Sequence, residues 1–300
     1  MHRGSLVVLA DDGAVELALG EVDVPMFPRS SNKPMQAVAM LRSGFSPSGT
    51  EQLALAAASH SGEDTHVQAV LGLLAAAGLG EQDLACPADL PGHEPSRDAV
   101  LAAGGSRRRV YMNCSGKHAA MLSTCVAAGW PTTGYTDAGH QLQLAGRATV
   151  AELAGEDVSA LGVDGCGAPI FALTLTGLAR SFARLVLARP DSPERRVADA
   201  MRAHPFLVSG TGREDLLLMG AVPGLLCKAG AEGVHVGALA DGRAFAVKID
   251  DGAARARGPV TVGVLDRWGI DVSGLDALAA EPLLGGGAVV GAARLLPGVF

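Results

Sequence analysis

The sequence predicts an α+β fold in which an antiparallel sheet packs against a cluster of helices. Short apolar runs separated by turn residues, typical of strands, lie near the two ends of the chain, whereas the long middle has helical periodicity. Segregated runs of strands and helices favour α+β over alternating parallel α/β. With 300 residues and 48% hydrophobic content the chain can bury a large core. We expect one domain over 1–300 with two sublobes, a sheet from the N- and C-terminal parts and a helical middle.

The elements follow in order along the chain. Residues 5–20 are predicted as a hairpin that turns at Asp11, Asp12 and Gly13. Helices are predicted over 32–44, 50–62, 63–78, 117–129, 139–155, 169–188 and 194–205, with a proline-rich loop at 86–96. Three short strands over 224–230, 233–239 and 243–249 predict an antiparallel meander, beside which the N-terminal hairpin could pair. A last helix is predicted over 252–269.

Composition and charge narrow the class of protein. A net charge of −7 argues against nucleic acid or an anionic membrane as a partner. The cluster Arg107–Arg109 fits either a solvated loop or a small phosphate site. No run of 18 apolar residues and no signal peptide can be recognised, and the five scattered cysteines fit a reducing compartment. We therefore expect a soluble, cytoplasmic protein that acts on a small molecule.

Ser30 and Lys33 form the first candidate catalytic pair. Residues three apart at a helix start lie on one face, with Cβ atoms about 5–6 Å apart. A desolvated lysine can then accept the serine proton, and the helix N-terminus favours the negative charge that develops. The alternative is that Ser30 or Ser31 caps the helix and Lys33 is solvated. Spacing alone leaves both interpretations open.

Two further segments complete a three-part pattern. Ser59 stands at the end of a small-residue helix, where it could be exposed in a cleft, although Ser61 could equally cap the next helix. Lys228 precedes Ala229 and Gly230 at the end of a strand, and Lys248 competes with it for the role of strand lysine. The order of serine–x–x–lysine, a polar Ser–x–Ser and a strand lysine resembles the signature of serine β-lactamases and penicillin-binding proteins.

Two cysteine-containing segments could bind a metal. Cys114 and Lys117 open a predicted helix in NCSGKH, and Cys166 lies in the glycine-rich turn DGCG. Two thiols with a lysine or histidine nearby could hold Zn²⁺, but no Cys-x-x-Cys supports it. Two buried structural thiols are the alternative.

Together these segments resemble the bacterial L-asparaginase II family, of the thermolabile Rhizobium type. The resemblance runs from residue 2 to about 257 and is carried by HRGSLVVL, RSSNKPMQA, LALAAASHSGE, NCSGKHAAML, DGCGAPIFALTL, CKAGAEGV and AVKIDDGAARA, in that order. NCSGKHA with DGCGAP is its most specific pair. The family implies a serine β-lactamase-like fold and hydrolysis of L-asparagine to L-aspartate and ammonia by an activated serine.

The resemblance also implies roles by position. The expected pairs are Ser30 with Lys33 and Ser59 with Lys228, with Ser30 ranked first as nucleophile because its lysine is in the same helical turn. The expected zinc ligands are Cys114, Lys117 and Cys166. Asp164 is expected to contact the substrate's α-amino group, with Arg29, His118 and Lys117 as further substrate-site candidates. A homodimer is expected from the resemblance alone.

Three departures and two rival functions accompany this hypothesis. The chain starts where relatives usually have a further strand, Ser61 stands where the family commonly has Asn, and the loop at 86–93 is looser. The rivals are a penicillin-recognising hydrolase of the same fold and a non-catalytic zinc-binding or small-molecule-binding relative. Absence of a signal peptide opposes the first rival, and the intact serines and lysines oppose the second.

Overall fold

The computed structural model describes residues 1–299, and it confirms an α+β fold with an antiparallel sheet. In this described part of the chain the nine strands are β1 (Gly4–Leu9), β2 (Val15–Leu19), β3 (Leu161–Val163), β4 (Pro169–Phe171), β5 (Leu226–Gly230), β6 (Val234–Ala238), β7 (Ala244–Ile249), β8 (Ala280–Gly285) and β9 (Ala288–Arg294). Five of them form the main sheet in the order β2-β1-β7-β6-β5. β1 pairs with β7, so the N-terminal hairpin and the C-terminal meander share one sheet.

Helices fill the middle of the chain and return at its C-terminal end. They are α1 (Lys33–Arg42), α2 (Thr50–Ala56), α3 (Asp64–Ala76), α4 (Glu94–Ala102), α5 (Ser115–Ala128), α6 (Gln141–Ala154), α7 (Leu175–Leu187), α8 (Pro193–Ala203), α9 (Pro205–Val208), α10 (Glu214–Ala221), α11 (Arg257–Arg267) and α12 (Asp276–Ala279). A 3-10 turn, Arg29–Asn32, leads into α1. Pro34 is tolerated because it lies in the first turn, where a missing N–H breaks no hydrogen bond.

The sheet is covered on both faces. Val7 and Leu9 belong to the large core shared with the helical cluster, whereas Leu6 and Val8 pack in a smaller core that includes Val264 of α11. Burial on both faces explains why β1, β6 and β7 are almost continuously apolar rather than alternating. β5, which carries Lys228, is an edge strand of this sheet. Among the described residues its outer side has no neighbouring strand, and helices lie beside it instead.

Several predicted elements need correction. The helix predicted over 169–188 begins only at Leu175, because Pro169–Phe171 pairs with Leu161–Val163 as a short hairpin. A helix, α4, begins inside the predicted proline-rich loop, with its proline near the helix start. Helix α10 and the terminal hairpin β8–β9 were not predicted. The predicted second helix ends at Ala56, so Ser59 lies beyond it.

Two features bear on the class of protein. Among residues 1–299, no helix is both long and apolar enough to cross a membrane. All five cysteines are buried and free. The single-domain description of 1–300 stays a prediction.

Candidate active site

Buried lysines mark the candidate site. The chain has four lysines, and three of them, Lys33, Lys117 and Lys228, are each only 1% exposed. Lysine is almost never fully buried unless its charge is paired, because desolvating an ammonium is costly. The surroundings of these three side chains therefore define where the chemistry can occur.

Lys33 contacts Ser59 and has no acidic partner within residues 1–299. It is the first residue of α1, and its Nζ donates to Ser59 Oγ at 2.9 Å and to the backbone oxygen of Ala58 at 2.5 Å. Burial, together with the charges of Lys117 and Lys228, lowers the pKa of Lys33. A lysine with a lowered pKa that touches a serine hydroxyl has the geometry of a general base beside a nucleophile.

Ser30 lies on the 3-10 turn ahead of Lys33. It is half-buried, and within residues 1–299 its hydroxyl has no hydrogen-bond partner, whereas neighbouring Ser31 is bonded to the Pro28 backbone oxygen at 2.7 Å. Arg29, at the start of the turn, has φ +53°, a left-handed conformation that non-glycine residues seldom adopt. Such strained conformations cluster at functional sites, where surrounding contacts hold them in place.

A glycine permits the edge strand to approach this turn. A Cβ atom at Gly230, the last residue of β5, would collide with the Pro28 backbone oxygen and lie 2.6 Å from Ser31 Oγ. Only glycine therefore allows β5 to bring Lys228 alongside the turn that carries Ser30. Gly116 plays a similar part between α5 and α2, since its Cβ would lie 2.7 Å from the Leu55 backbone oxygen.

The second cluster contains the two predicted cysteines. Cys114, at the N-terminus of α5, and Cys166, in the loop between β3 and β4, place their Sγ atoms within 4.8 Å of each other and of an Asp164 oxygen. Lys117 Nζ lies 3.3 Å from Cys166 Sγ. The structure thus brings together all three predicted zinc ligands.

Electrostatics in this cluster favour a thiolate–ammonium pair. The neighbouring Cys114 thiol and then the Lys117 charge lower the pKa of Cys166 far below its usual value, against the effect of burial. Burial would lower the pKa of Lys117, but the negative charge at Cys166 outweighs it and raises that pKa. Two thiols, an amine and a nearby carboxylate are a donor set that suits Zn²⁺, and a metal bound through Lys117 would displace its proton.

Asp164, Arg29 and His118 surround this cluster. Arg29 Nε donates to Asp164 Oδ1 at 2.7 Å, and its guanidinium also pairs with Glu232 at 2.8 Å. His118 Nδ1 lies 2.6 Å from the Tyr135 hydroxyl, whereas its buried Nε2 has no hydrogen-bond partner among the described residues. Burial lowers the pKa of His118. Asp164 is thus a carboxylate oriented by Arg29 at the border of the cysteine cluster.

Lys228 is paired with an acid that the sequence analysis missed. Its Nζ donates to Asp215 Oδ2 at 2.8 Å, and Asp215 is itself only 2% exposed. Burial opposes ionisation of Asp215, but the Lys228 charge outweighs it, so the pKa of Asp215 is lowered. Asp215, Cys227 and His235 also lie close enough to hold a metal. However, burial raises the pKa of the Cys227 thiol and Lys228 already matches the carboxylate charge, so we assign this group to the ion pair.

The family model described as L-asparaginase II matches residues 1–295. The chain belongs to the L-asparaginase II family. No curated protein matches it. Among solved structures it is similar to Mglu in its tris and glutamate form, with 17% identity, a TM-score of 0.44 and coverage of 94% of this chain and 63% of that chain. For Mglu in its native form the values are 18%, 0.42, 93% and 68%. No statement about activity follows from likeness at this level.

Membership of the L-asparaginase II family rests on the match over residues 1–295, and the chain spans 63% of the length of the Mglu structure in its tris and glutamate form. This membership leaves the roles of individual residues as predictions. The structure differs from the sequence-based pairing of those residues, because Lys33 reaches across to Ser59 instead of bonding Ser30. Lys228 bonds Asp215 instead of Ser59. The predicted competitor Lys248 is a half-buried lysine that bonds the Ile249 backbone oxygen.

In this asparaginase II chain, His60 and Ser61 make hydrogen bonds next to Ser59 that sequence spacing did not predict. His60 Nδ1 accepts the Gly62 N–H at 3.1 Å, and its Nε2 lies 3.0 Å from the Ser115 hydroxyl. Burial lowers the pKa of His60 well below its usual value, so its ring is neutral. The two hydrogen bonds of this ring connect the segment after α2 with the start of α5. Ser61 Oγ donates to Glu63 Oε1 at 2.6 Å, and the N-cap of α3 is Glu63 rather than Ser61.

Proposed function

We propose that the chain is an L-asparaginase that converts L-asparagine and water to L-aspartate and ammonia, with Lys33 as general base and Ser59 as nucleophile. The observation that carries this proposal is the 2.9 Å hydrogen bond between a buried Lys33 amine and Ser59 Oγ, on a lysine with no acidic partner in the described part of the chain. Family membership supports the reaction class.

The proposed chemistry proceeds in two halves. Neutral Lys33 takes the Ser59 proton as Oγ attacks the side-chain amide carbon, and the proton passes to the leaving nitrogen, which departs as ammonia. Water then attacks the acyl-enzyme ester, and the proton it gives up returns to Ser59 as aspartate forms. The lowered pKa of Lys33 supports a base that is available near neutral pH.

This proposal replaces the sequence-based ranking of Ser30 over Ser59. A neighbour in the same helical turn is close at Cβ, but the flexible lysine stem carries Nζ to a partner on another element. Ser30 remains the second hydroxyl of the proposed site, because it is half-buried and unbonded beside the strand that carries Lys228. We assign it to substrate contact.

Asp164 is proposed to bind the α-amino group of the amino-acid substrate. Its carboxylate is oriented by Arg29 and by the Gly165 N–H, which donates to the same oxygen at 2.9 Å. A fixed carboxylate is the group expected to recognise an ammonium. His118 is proposed to contribute its unpartnered Nε2 to the same region.

Zinc is proposed at Cys114, Lys117 and Cys166, the set that the resemblance to Rhizobium-type asparaginases implies. Two thiols beside an amine support this set, and a bound Zn²⁺ would act as a Lewis acid that orients the substrate or its water. A serine β-lactamase-like fold is proposed as well. Its support is the placement of Lys33 at a helix start, Ser59 between helices and Lys228 on an edge strand. A cytoplasmic homodimer remains part of the proposal.

Ammonia release tests the proposal directly. The wild-type chain is assayed with L-asparagine, L-glutamine and a penicillin, beside Ser59→Ala, Ser30→Ala and a matched change at exposed Ser106→Ala. We expect turnover of L-asparagine and a loss of at least about 10³-fold in Ser59→Ala, with a smaller loss in Ser30→Ala and none in Ser106→Ala. Absence of ammonia from L-asparagine refutes the function, and penicillin hydrolysis would support the rival hydrolase. Full activity in Ser59→Ala refutes the nucleophile.

A further inference from the structure

Two of the buried lysines, Lys33 and Lys228, differ in their partners. Within residues 1–299, Lys33 contacts only neutral oxygens, whereas Lys228 contacts a carboxylate. Lys228 Nζ donates to Asp215 Oδ2 at 2.8 Å and to the Ala229 backbone oxygen at 3.1 Å. An ammonium has three N–H groups, so within the described residues one remains without a partner.

Asp215 accepts hydrogen bonds both from the side chain of Lys228 and from the backbone of the next residue on the edge strand, Ala229. Its second oxygen, Oδ1, accepts the Ala229 N–H at 2.8 Å. β5 is an edge strand, whose outer N–H groups have no strand to bind, and the carboxylate from α10 supplies the missing acceptor. One carboxylate thus fixes the direction of Lys228 and the position of the residue after it.

The charges around this pair are otherwise matched. Glu214 pairs with Arg257 at 2.9 Å, and Arg257 also donates to the Gly230 backbone oxygen at 2.7 Å. The groups that face Asp215 and Lys228 from neighbouring elements are Glu214 on α10, Cys227 on β5, His235 on β6, Arg257 on α11 and Lys33 on α1. His235 bonds Thr261 at 2.7 Å. Asp215 is therefore the carboxylate that bonds Lys228 directly.

We propose that Asp215 is a positioning residue of the active site: it keeps Lys228 a fixed ammonium that serves as a cation for an anionic substrate oxygen and leaves Lys33 as the only base. The inference rests on the proposed function, since the substrate and the base are assigned there. It replaces a second serine–lysine pair with an aspartate–lysine pair. The free third N–H of Lys228 supplies the contact for substrate.

The test is Asp215→Asn, with Asp199→Asn at an exposed ion pair as the matched control. Asparagine keeps an oxygen for the Ala229 N–H but loses the charge. We expect the alkaline limb of the kcat/KM pH profile to move down by at least one pH unit, with a loss of tenfold or more at pH 9, because an unpaired buried ammonium releases its proton. The control should keep the wild-type profile. An unmoved alkaline limb in Asp215→Asn overturns the proposal.

A second readout does not depend on activity. If Lys228 loses its proton on folding in Asp215→Asn, the unfolded state binds one proton more, and stability rises with pH. The folding equilibrium constant of the variant should therefore rise, relative to wild type, by up to tenfold per pH unit between pH 7 and 10, measured by urea unfolding. An identical slope in the two proteins overturns the proposal. In a wild-type chain that releases no ammonia, the proposed function fails and this slope still decides the state of Lys228.

A double variant covers the case in which Asp215→Asn does not fold. Asp215→Asn with Lys228→Met removes both charges of the pair and leaves no buried ion unmatched. We expect it to fold, to lack the additional pH slope and to lose at least a hundredfold in kcat at every pH. Wild-type kcat/KM in this double variant overturns the proposal.

Discussion

The variant Lys33→Met tests two properties of the buried amine: its effect on folding stability and its proposed role as general base. Methionine fills a similar volume without charge, so the change removes the proposed base and should lower kcat/KM by about 10²–10⁴. Its effect on stability is a sum of opposing terms. The Ala58 backbone oxygen and the Ser59 hydroxyl lose a donor, at about 1–3 kcal/mol for each group left unsatisfied. The free energy spent on burying an ammonium is recovered, at about 1.4 kcal/mol for each pH unit by which folding lowers the lysine pKa.

Because these terms are of similar size, the pH dependence is the sharper measure. The folded-state pKa of Lys33 is lowered, so between that value and the unfolded value of about 10.5 the unfolded chain binds one proton more. Wild-type stability must then rise with pH across this window, and Lys33→Met lacks that rise. The free energy of unfolding of wild type minus that of the variant should increase by up to about 1.4 kcal/mol per pH unit.

The assay is urea unfolding of both proteins at pH 7, 8, 9 and 10. Thiols that ionise late contribute equally to both proteins and cancel in the difference; burial raises the pKa of Cys125, for example, to about 11. Lys248→Met is the matched control, since Lys248 is half-buried and lies outside the proposed site. A difference between wild type and Lys33→Met that stays flat with pH would show that Lys33 is not a depressed amine, and the proposed base would be wrong.

Two further predictions concern the metal and the edge strand. Cys166→Ala should reduce zinc, measured by elemental analysis of the purified chain, to the level of a Cys125→Ala control, because Cys166 contributes the thiolate of the proposed set; unchanged zinc refutes the site. Gly230→Ala should lower kcat/KM by about tenfold or more and the free energy of unfolding by about 1–3 kcal/mol, because the added Cβ must push β5 away from the Pro28 turn. Gly72→Ala, where nothing lies within 4 Å of the added Cβ, is its control, and equal effects in the two variants would contradict the argument.

The fold was predictable from the sequence where buried elements have a recognisable pattern of apolar residues. The strands of the main sheet are apolar runs bounded by glycine and aspartate, and the helices α5 and α6 end at glycines in the left-handed conformation. The elements that were missed carry weak signals. β3 and β4 have three residues each, and the glycine-rich turn between them is defined by long-range contacts with Arg29. The hairpin β8–β9 is apolar yet largely exposed, so its sequence resembles neither a buried strand nor an alternating one.

The sequence nominates candidate residues for the site, but it does not give the hydrogen bonds between them. Ser30 and Lys33 are neighbours at Cβ, and sequence spacing reports no more than that. The lysine stem extends several ångströms beyond Cβ, so its partner is chosen by tertiary packing, here between α1 and the segment after α2. One signal for Asp215 did exist in physical terms. A lysine in a strand buried on both sides needs either an anion within reach or a lowered pKa, and here an acid elsewhere in the chain supplies the anion.

The difference between Lys33 and Lys228 argues for one base rather than two. Both buried amines lose their hydration, but of the two only Lys228 is paired with a carboxylate within residues 1–299. A protein selected only for stability would replace an uncompensated buried amine with an apolar side chain, because that change costs little or stabilises. Three energetically unfavourable features lie close together in the chain's fold: the buried Lys33 without an acidic partner, the left-handed backbone of Arg29, and the close approach of β5 that requires Gly230. Elsewhere the local sequence preferences agree with the fold. Such unfavourable features are expected where a reactive group is maintained, and on this argument the unpaired lysine is the one that moves the proton.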